Sequence, residues 1–287
     1  MEEECNKIAL ITDGGCDLPE FIKDKLTVYK LPLKIIYHNQ EYDDHQIKLE
    51  EIYERFSQEI PKTAMASLSE TLKLFQSLKE KGIKQIISVN ISSGLSGCYE
   101  MIKMASKQFS DLKIEVIDSK SLSVGLGMLV TEANRLIGEG LCLDEVQKRL
   151  EDWRERIKLY FSIPNLEYLR QGGRIGLVAS TISGMLNIKP IISVNQDGKY
   201  YTYDKVRGWR NSLDRLVEIA TKISENTKVN IAVMHTAAKE EATMLMEILQ
   251  KLPNVKEIFV GQIGASLGVH SGPGLVGVAV ELLPEGW

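Results

Sequence analysis

Short apolar runs at residues 7–12, 85–91 and 114–117 each lead into turn residues and then into a segment whose apolar side chains recur with helical spacing. An apolar run without alternation reads as a strand buried on both faces. Repeated strand, turn and helix imply crossover connections, which join parallel neighbours, so the first half of the chain reads as α/β on a mostly parallel sheet. Helical patterns at residues 125–138 and 143–157 follow, and then the texture changes. Residues 159–163, 190–194 and 200–203 read as strands of a second sheet, with Asp197-Gly198 as a hairpin turn. Residues 229–234 and 258–263 frame one more helical pattern at 239–252. The expectation is an α/β protein of two lobes, residues 1–157 and residues 158–287, with a ligand cleft between them.

Charge and cysteine usage narrow the chemistry. Lysine and arginine number 35 against 39 acids, a net charge of -4 with no basic run, so no nucleic-acid partner is expected. The start of the chain carries three glutamates before a short apolar run, which resembles neither a signal peptide nor a membrane span, and a cytoplasmic location is expected. The four cysteines, Cys5, Cys16, Cys98 and Cys142, are scattered without a C-x-x-C pair, and the four histidines form no H-E-x-x-H, so neither a disulfide framework nor a metal centre is expected.

The densest chemistry lies in I-S-S-G-L-S-G, residues 91–97, where hydroxyls and glycines collect between an apolar run and a helical pattern at 98–109. Open backbone N–H groups and the positive end of a helix favour an anionic oxygen group at such a corner. Ser93 or Ser96 equally suits a helix cap. Other polar segments end neighbouring elements. In residues 12–18, T-D-G-G-C-D-L, the acids exclude a simple phosphate cradle, and Asp17 reads as a cap for a helix starting near Pro19. In K-T-A-M-A-S-L-S-E, Ser67 or Ser69 caps the next helix and leaves Thr63 to face a cleft or to serve structure alone. Asp118 reads as a holder of backbone N–H groups in its turn.

The second half supplies cations. Gly172 and Gly173 permit a sharp turn that aims Arg174, whose planar fork suits a carboxylate or phosphate; a solvated arginine after a helix end is the plainer alternative. Arg207 follows the hairpin as a surface charge, an anion ligand or a partner contact. His270, in V-H-S-G-P-G between two apolar strands, is expected in a loop and facing ligand. Gly264 to Gly268 matches G-x-S-x-G, but the expected absence of a following helix, and the order of residues, argue against a nucleophile elbow. Neither a Walker loop nor a dinucleotide fingerprint is present.

Taken in order, T-D-G-G-C-D-L, K-T-A-M-A-S, I-S-S-G-L-S-G, V-I-D-S, Y-L-R-Q-G-G-R-I, I-K-P-I, K-V-R and H-S-G-P-G resemble the motifs of the DegV family of bacterial fatty-acid-binding proteins, from about residue 8 to residue 282. The resemblance implies a two-lobed DegV-like α/β fold: a mostly parallel N-terminal lobe, a smaller mixed C-terminal lobe, and one long-chain fatty acid between them. It further implies a carrier rather than an enzyme, without cofactor. Such a carrier presents the carboxylate to a separate fatty acid kinase for acyl-phosphate formation in phospholipid metabolism, with transient contact at a membrane surface. By the same resemblance Thr63 and Ser96 donate to the carboxylate, Ser93 and Gly97 lie close by, His270 is a further neighbour, Arg174 is the head-group cation and Arg207 a kinase contact. Gly14 and Gly15 stand where the family commonly has serines, and Ala64, Met65 and Ala66 where it has Ser-Gln-Pro, which reshapes the wall beside the head group. The alternatives are a small-anion or sugar-phosphate binder using the same hydroxyl turn, and a hydrolase using Ser96 or Ser266.

Overall fold

A computed structural model describes residues 7–18, 22, 26–181 and 187–287. The expected helix start near Pro19 and residues 182–186 lie outside the described residues.

The first sheet is parallel throughout, in the order β2 (Val28–Leu31), β1 (Ile8–Asp13), β6 (Gln85–Asn90), β7 (Lys113–Asp118). Leu10 stands beside Val28 on one side and Ile87 on the other, and Asn90 beside Asp118. Every residue of β1 is buried, as its unbroken apolar run requires. Parallel order puts the loops that follow β1, β6 and β7 at one edge, the carboxyl edge, where open α/β sheets bind ligands. The polar segments at residues 14–18, 91–97 and 119–122 are those loops.

Between β2 and β6 the chain builds a small antiparallel sheet, β4 (Glu41–Asp43), β3 (Lys34–Ile36) and β5 (Lys62–Ala64), together with helix α1 (Leu49–Arg55). These strands are absent from the sequence reading because three residues are too few to show a period. Helix α2 (Leu68–Glu80) then starts on a capping box: Ser67 accepts from the Glu70 amide at 3.2 Å, and Glu70 takes the Ser67 amide at 2.7 Å.

Helices α3 (Cys98–Ser106), α4 (Ser123–Gly138) and α5 (Leu143–Arg154) complete this part. The second sheet has the order β10 (Tyr200–Arg207), β9 (Ile188–Val194), β8 (Ile157–Ser162), β13 (Val276–Leu282), β11 (Val229–His235), β12 (Val255–Gln262). It is antiparallel except for the β11–β12 pair. Its other helices are α6 (Glu167–Gln171), α7 (Trp209–Ile223), α8 (Lys239–Leu249) and α9 (Ala265–Ser271). One apolar cluster spans both sheets, holding Leu10, Ile87 and Val89 from the first, Leu126 from α4, and Phe161, Ile192 and Met234 from the second. Among the described residues no helix is long and apolar enough to cross a membrane.

The β9–β10 hairpin turns at Gly198, whose φ of +77° suits glycine, and its tip docks on the loop after β6. The Ser92 hydroxyl donates to the Gly198 carbonyl at 2.7 Å, and a Cβ on Gly94 would lie 2.5 Å from that same oxygen. Both surfaces are backbone, so neither can yield cheaply. Gly94→Ala is therefore expected to cost about 1–3 kcal/mol by forcing loop and hairpin apart, read as a lower urea midpoint; an unchanged midpoint would show that the contact is loose.

Candidate functional site

The carboxyl edge of the first sheet faces the second sheet across a cavity of about 300 Å³. Its walls are apolar: Ile91, Leu95 and Leu122 on one side, Leu159, Phe161 and Tyr200 on the other. Phe161 and Tyr200 pack edge to face with ring centres 5.3 Å apart. Polar groups enter through Thr63, Ser96, Gly97, Arg174 and His270, with Ser123, Ser266 and Ser271 on the same lining.

Each of these side chains has a local reason for its position. Thr63 is the middle residue of β5, paired with Ile35 of β3. Its hydroxyl meets Nε2 of His270 at 2.6 Å across the cavity. His270 sits in the last turn of α9, not in a loop as the sequence suggested. A seven-residue helix with glycines at 264 and 268 around a short apolar stretch carries too few periods to be told from a loop, and Gly272, at a φ of +68°, ends it. Nδ1 of His270 is buried without a hydrogen-bond partner. A Cβ on Gly172 would collide with that nitrogen, so the glycine after α6 makes room for the imidazole. Gly173 has a φ of +71°, and the Arg174 amide returns to the Leu169 carbonyl at 2.9 Å, a helix end that aims the next side chain. The Arg174 guanidinium donates through Nη1 to the Gly172 carbonyl at 2.6 Å and through Nε to the Leu95 carbonyl at 3.3 Å.

The loop 91–97 divides its residues among directions. Asp13 anchors its start, accepting from the Ile91 amide at 2.9 Å and from Nδ2 of Asn90 at 3.1 Å. Ser96 and Gly97 line the cavity. Gly97 is the N-cap of α3 and brings no side chain to it; the Ser96 hydroxyl instead accepts from the Cys98 amide at 3.4 Å and donates to the Cys98 thiol at 3.2 Å. Ser93 does not reach the cavity lining. Its amide donates to Asp118 at 3.1 Å, its hydroxyl accepts from Lys120 at 3.3 Å, and the pair turns it to the other face of the loop. Asp118 also takes the Lys120 amide at 3.1 Å, the turn-holding role expected of it. Arg207, exposed at the end of β10, also lies off the cavity.

The cap expected of Asp17 concerns a helix start outside the described residues, while its carboxylate has partners within them. The Asp17 carboxylate accepts from the Ser123 hydroxyl at 2.6 Å and the Gly264 amide at 3.0 Å, joining α4 and α9 to the first loop. A helix does follow Gly264, so the G-x-S-x-G segment meets the elbow requirement that the sequence reading denied it. The Ser266 hydroxyl, however, donates to the Gly14 carbonyl at 3.1 Å, while Nε2 of His270 is engaged by Thr63. The serine and the imidazole are not paired. Sequence reasoning placed Met65 in the wall and used Gly172 to aim Arg174, but it missed that Gly172 makes room for His270, and it missed Tyr200, for which a single aromatic residue gave no signal.

Burial, reinforced by the Arg174 cation, pushes His270 down to about 4. The imidazole is neutral near neutral pH, and Arg174 is the cation on the lining. Among the described residues no cluster of histidine, cysteine or acidic groups could hold a metal ion. The arrangement can hold an anionic oxygen group at one end of an apolar space.

Residues 7–282 match the sequence profile of the family described as "Uncharacterised protein, DegV family". A DegV domain-containing protein of Clostridium acetobutylicum is 43% identical over 277 residues, covering 96% of this chain and 98% of its own length. Among solved structures, a fatty acid binding DegV family protein of Streptococcus agalactiae superposes with a TM-score of 0.89 at 30% identity, covering 97% of this chain and 99% of that one. A stearic-acid-binding protein of Eubacterium ventriosum superposes at 0.86 with 26% identity, covering 96% and 98%.

The depressed His270 value carries a sign. Between pH 6.5 and 4 the unfolded chain binds a proton there that the folded protein refuses, so this group's effect on stability worsens as pH falls through that window and vanishes above it. The penalty reaches up to about 3 kcal/mol at the acid end. Burial shifts Asp13 and Asp17 upward, an effect of opposite sign that a single substitution at His270 leaves in place. His270→Asn is expected to flatten the acid-side loss of stability, measured as urea midpoints across the window; a parallel profile would place the proton elsewhere.

Proposed function

The chain belongs to the DegV family, and from that premise we propose that it binds one long-chain fatty acid between two lobes, residues 1–157 and 158–287, with the carboxylate among Thr63, Ser96, Gly97, His270 and Arg174. The observation that carries this reading is an apolar cavity whose polar contacts include one cation and a neutral imidazole–hydroxyl pair.

The pair has a direction. With its proton on Nε2, His270 donates to the Thr63 oxygen and spends no donor on its unpartnered Nδ1. Thr63 then keeps its own hydroxyl proton for a ligand oxygen. Arg174 supplies the opposite charge, and Ser96 a second hydroxyl. A buried carboxylate left without such partners would cost several kcal/mol or take up a proton. For the tail, burial of about 15 methylene-sized groups at about 0.8 kcal/mol each contributes about 12 kcal/mol gross. A bilayer offers nearly the same gain, so retention against a membrane rests on cavity shape and on the head-group hydrogen bonds. Apolar side chains exposed near the site, Met65 and Leu177, are the proposed points of transient membrane contact. We further propose that the segment 177–186 opens to admit the fatty acid; beyond Thr181 it lies outside the described residues.

In this reading the protein is a cytoplasmic carrier without a catalytic centre of its own. A separate kinase transfers the γ-phosphoryl group of ATP to a carboxylate oxygen, leaving ADP and acyl phosphate, and exposed Arg207 contacts that kinase. A polar small-anion ligand fits less well, because the walls beyond the head-group residues are mostly apolar.

Native mass spectrometry of the purified protein should show one long-chain fatty acid per chain. Ser96→Ala is expected to weaken its binding by about 1–3 kcal/mol. A clean apo mass that does not shift on adding fatty acid would refute the reading. Arg207→Glu should lower acyl-phosphate formation in a reaction containing kinase and ATP while the bound fatty acid stays; equal rates would remove Arg207 from the contact.

A further inference from the structure

A second cavity, of about 410 Å³, lies behind the loop 91–97 and shares the Leu159 wall with the apolar one. Its character is the reverse. Lys120, Arg154 and Lys158 border it, with hydroxyls of Ser119, Ser121 and Ser193 and the amides of Asn195 and Gln196. Three cations from three elements converge here: the turn after β7, the end of α5 and the start of β8.

The balance of partners at this cleft is incomplete. Nε of Arg154 is buried without a hydrogen-bond partner, although Nη1 of the same group donates to the Asp118 carbonyl at 3.0 Å. Glu155 is the acid on the lining, its oxygen 3.6 Å from that Nε, too long for a hydrogen bond, and its side chain is 70% exposed. Lys120 is ion-paired with Asp118 at 2.8 Å. Lys158 makes no ion pair among the described residues. Two carboxylates therefore face three cations, and a buried guanidinium N–H lacks the acceptor that such groups ordinarily have.

We propose that this cleft binds a small hydroxylated phosphate monoester, its phosphate oxygens taken by Arg154 and Lys158 and its hydroxyls by the serines and amides around them. A guanidinium fork with a neighbouring ammonium is matched to phosphate, and the volume exceeds what bare phosphate fills. The site is separate from the fatty-acid site and stands whether or not that reading holds. It touches the same loop from the other side, since Lys120 holds Ser93, and Asn195 belongs to the hairpin tip that holds Ser92.

The test is calorimetric titration of the full chain with ribose 5-phosphate and with inorganic phosphate, in a buffer free of other oxyanions. Saturable one-to-one binding is expected, tighter for ribose 5-phosphate, and weakened about tenfold or more in Lys158→Ala and in Arg154→Gln. Lys158→Ala breaks no ion pair, so it reports on the site even if loss of the Arg154–Asp118 contact unsettles the fold. Fatty-acid content of each sample, read by native mass spectrometry, reports on the neighbouring cavity alone. The proposal fails if neither phosphate binds, if both variants bind as the parent does, or if binding occurs only to phosphatidylglycerol vesicles.

Discussion

The carboxylate of Asp17 holds the site together. It is half-buried, desolvation raises its pKa, and among the described residues it accepts from distant chain segments, the Ser123 hydroxyl at the start of α4 and the Gly264 amide at the start of α9. Ser123 has a φ of +52°, a conformation a non-glycine residue keeps only when its surroundings insist, and its amide is taken by the Gly15 carbonyl at 2.7 Å. Helix α9 is further tied by Ser266 to Gly14 and by Tyr53 to the Gly268 carbonyl at 3.2 Å. His270 rides on that helix. Its meeting with Thr63 is thus decided by contacts made a turn or more away, and a desolvated acceptor that lost either donor would exact a desolvation cost.

The cavity separates two kinds of work. In the proposed reading apolar walls supply affinity without direction, whereas Thr63, Ser96 and Arg174 supply direction in a space where low polarity strengthens every hydrogen bond. The neutral imidazole keeps the charge count low. With Arg174 as the cation on the lining, a single negative group is the natural complement, and a multiply charged ligand is better met in the cleft behind the loop.

The loop 91–97 carries three surfaces at once. Ser96 and Gly97 line the cavity, Ser92 and Gly94 meet the hairpin tip, and Ser93 meets Lys120, which borders the polar cleft. Asp13 and Asp118 hold its backbone from the ends of β1 and β7. A shift on any one face moves backbone that the other two share, which gives the candidate site a mechanical link to both neighbours.

Local chemistry made much of this legible. Unbroken apolar runs marked β1, β6 and β7, the serines at 67 and 69 marked the start of α2 without choosing between them, and Asp197-Gly198 marked the hairpin. The gathering of the polar loops at the ends of these strands also followed, because hydroxyls, glycines and strand ends are written in consecutive residues. The three-residue strands, the helix beneath His270 and the separation of Ser96 from Ser93 did not follow. Each depends on a partner far along the chain: Ile35 for Thr63, Asp17 for α9, Asp118 and Lys120 for Ser93. The sequence by itself determined which residues could bind an anion, since side-chain chemistry and turn preference are local properties. Only the tertiary structure decided which of them share a cavity, because direction is set by long-range hydrogen bonds and packing that no local pattern records.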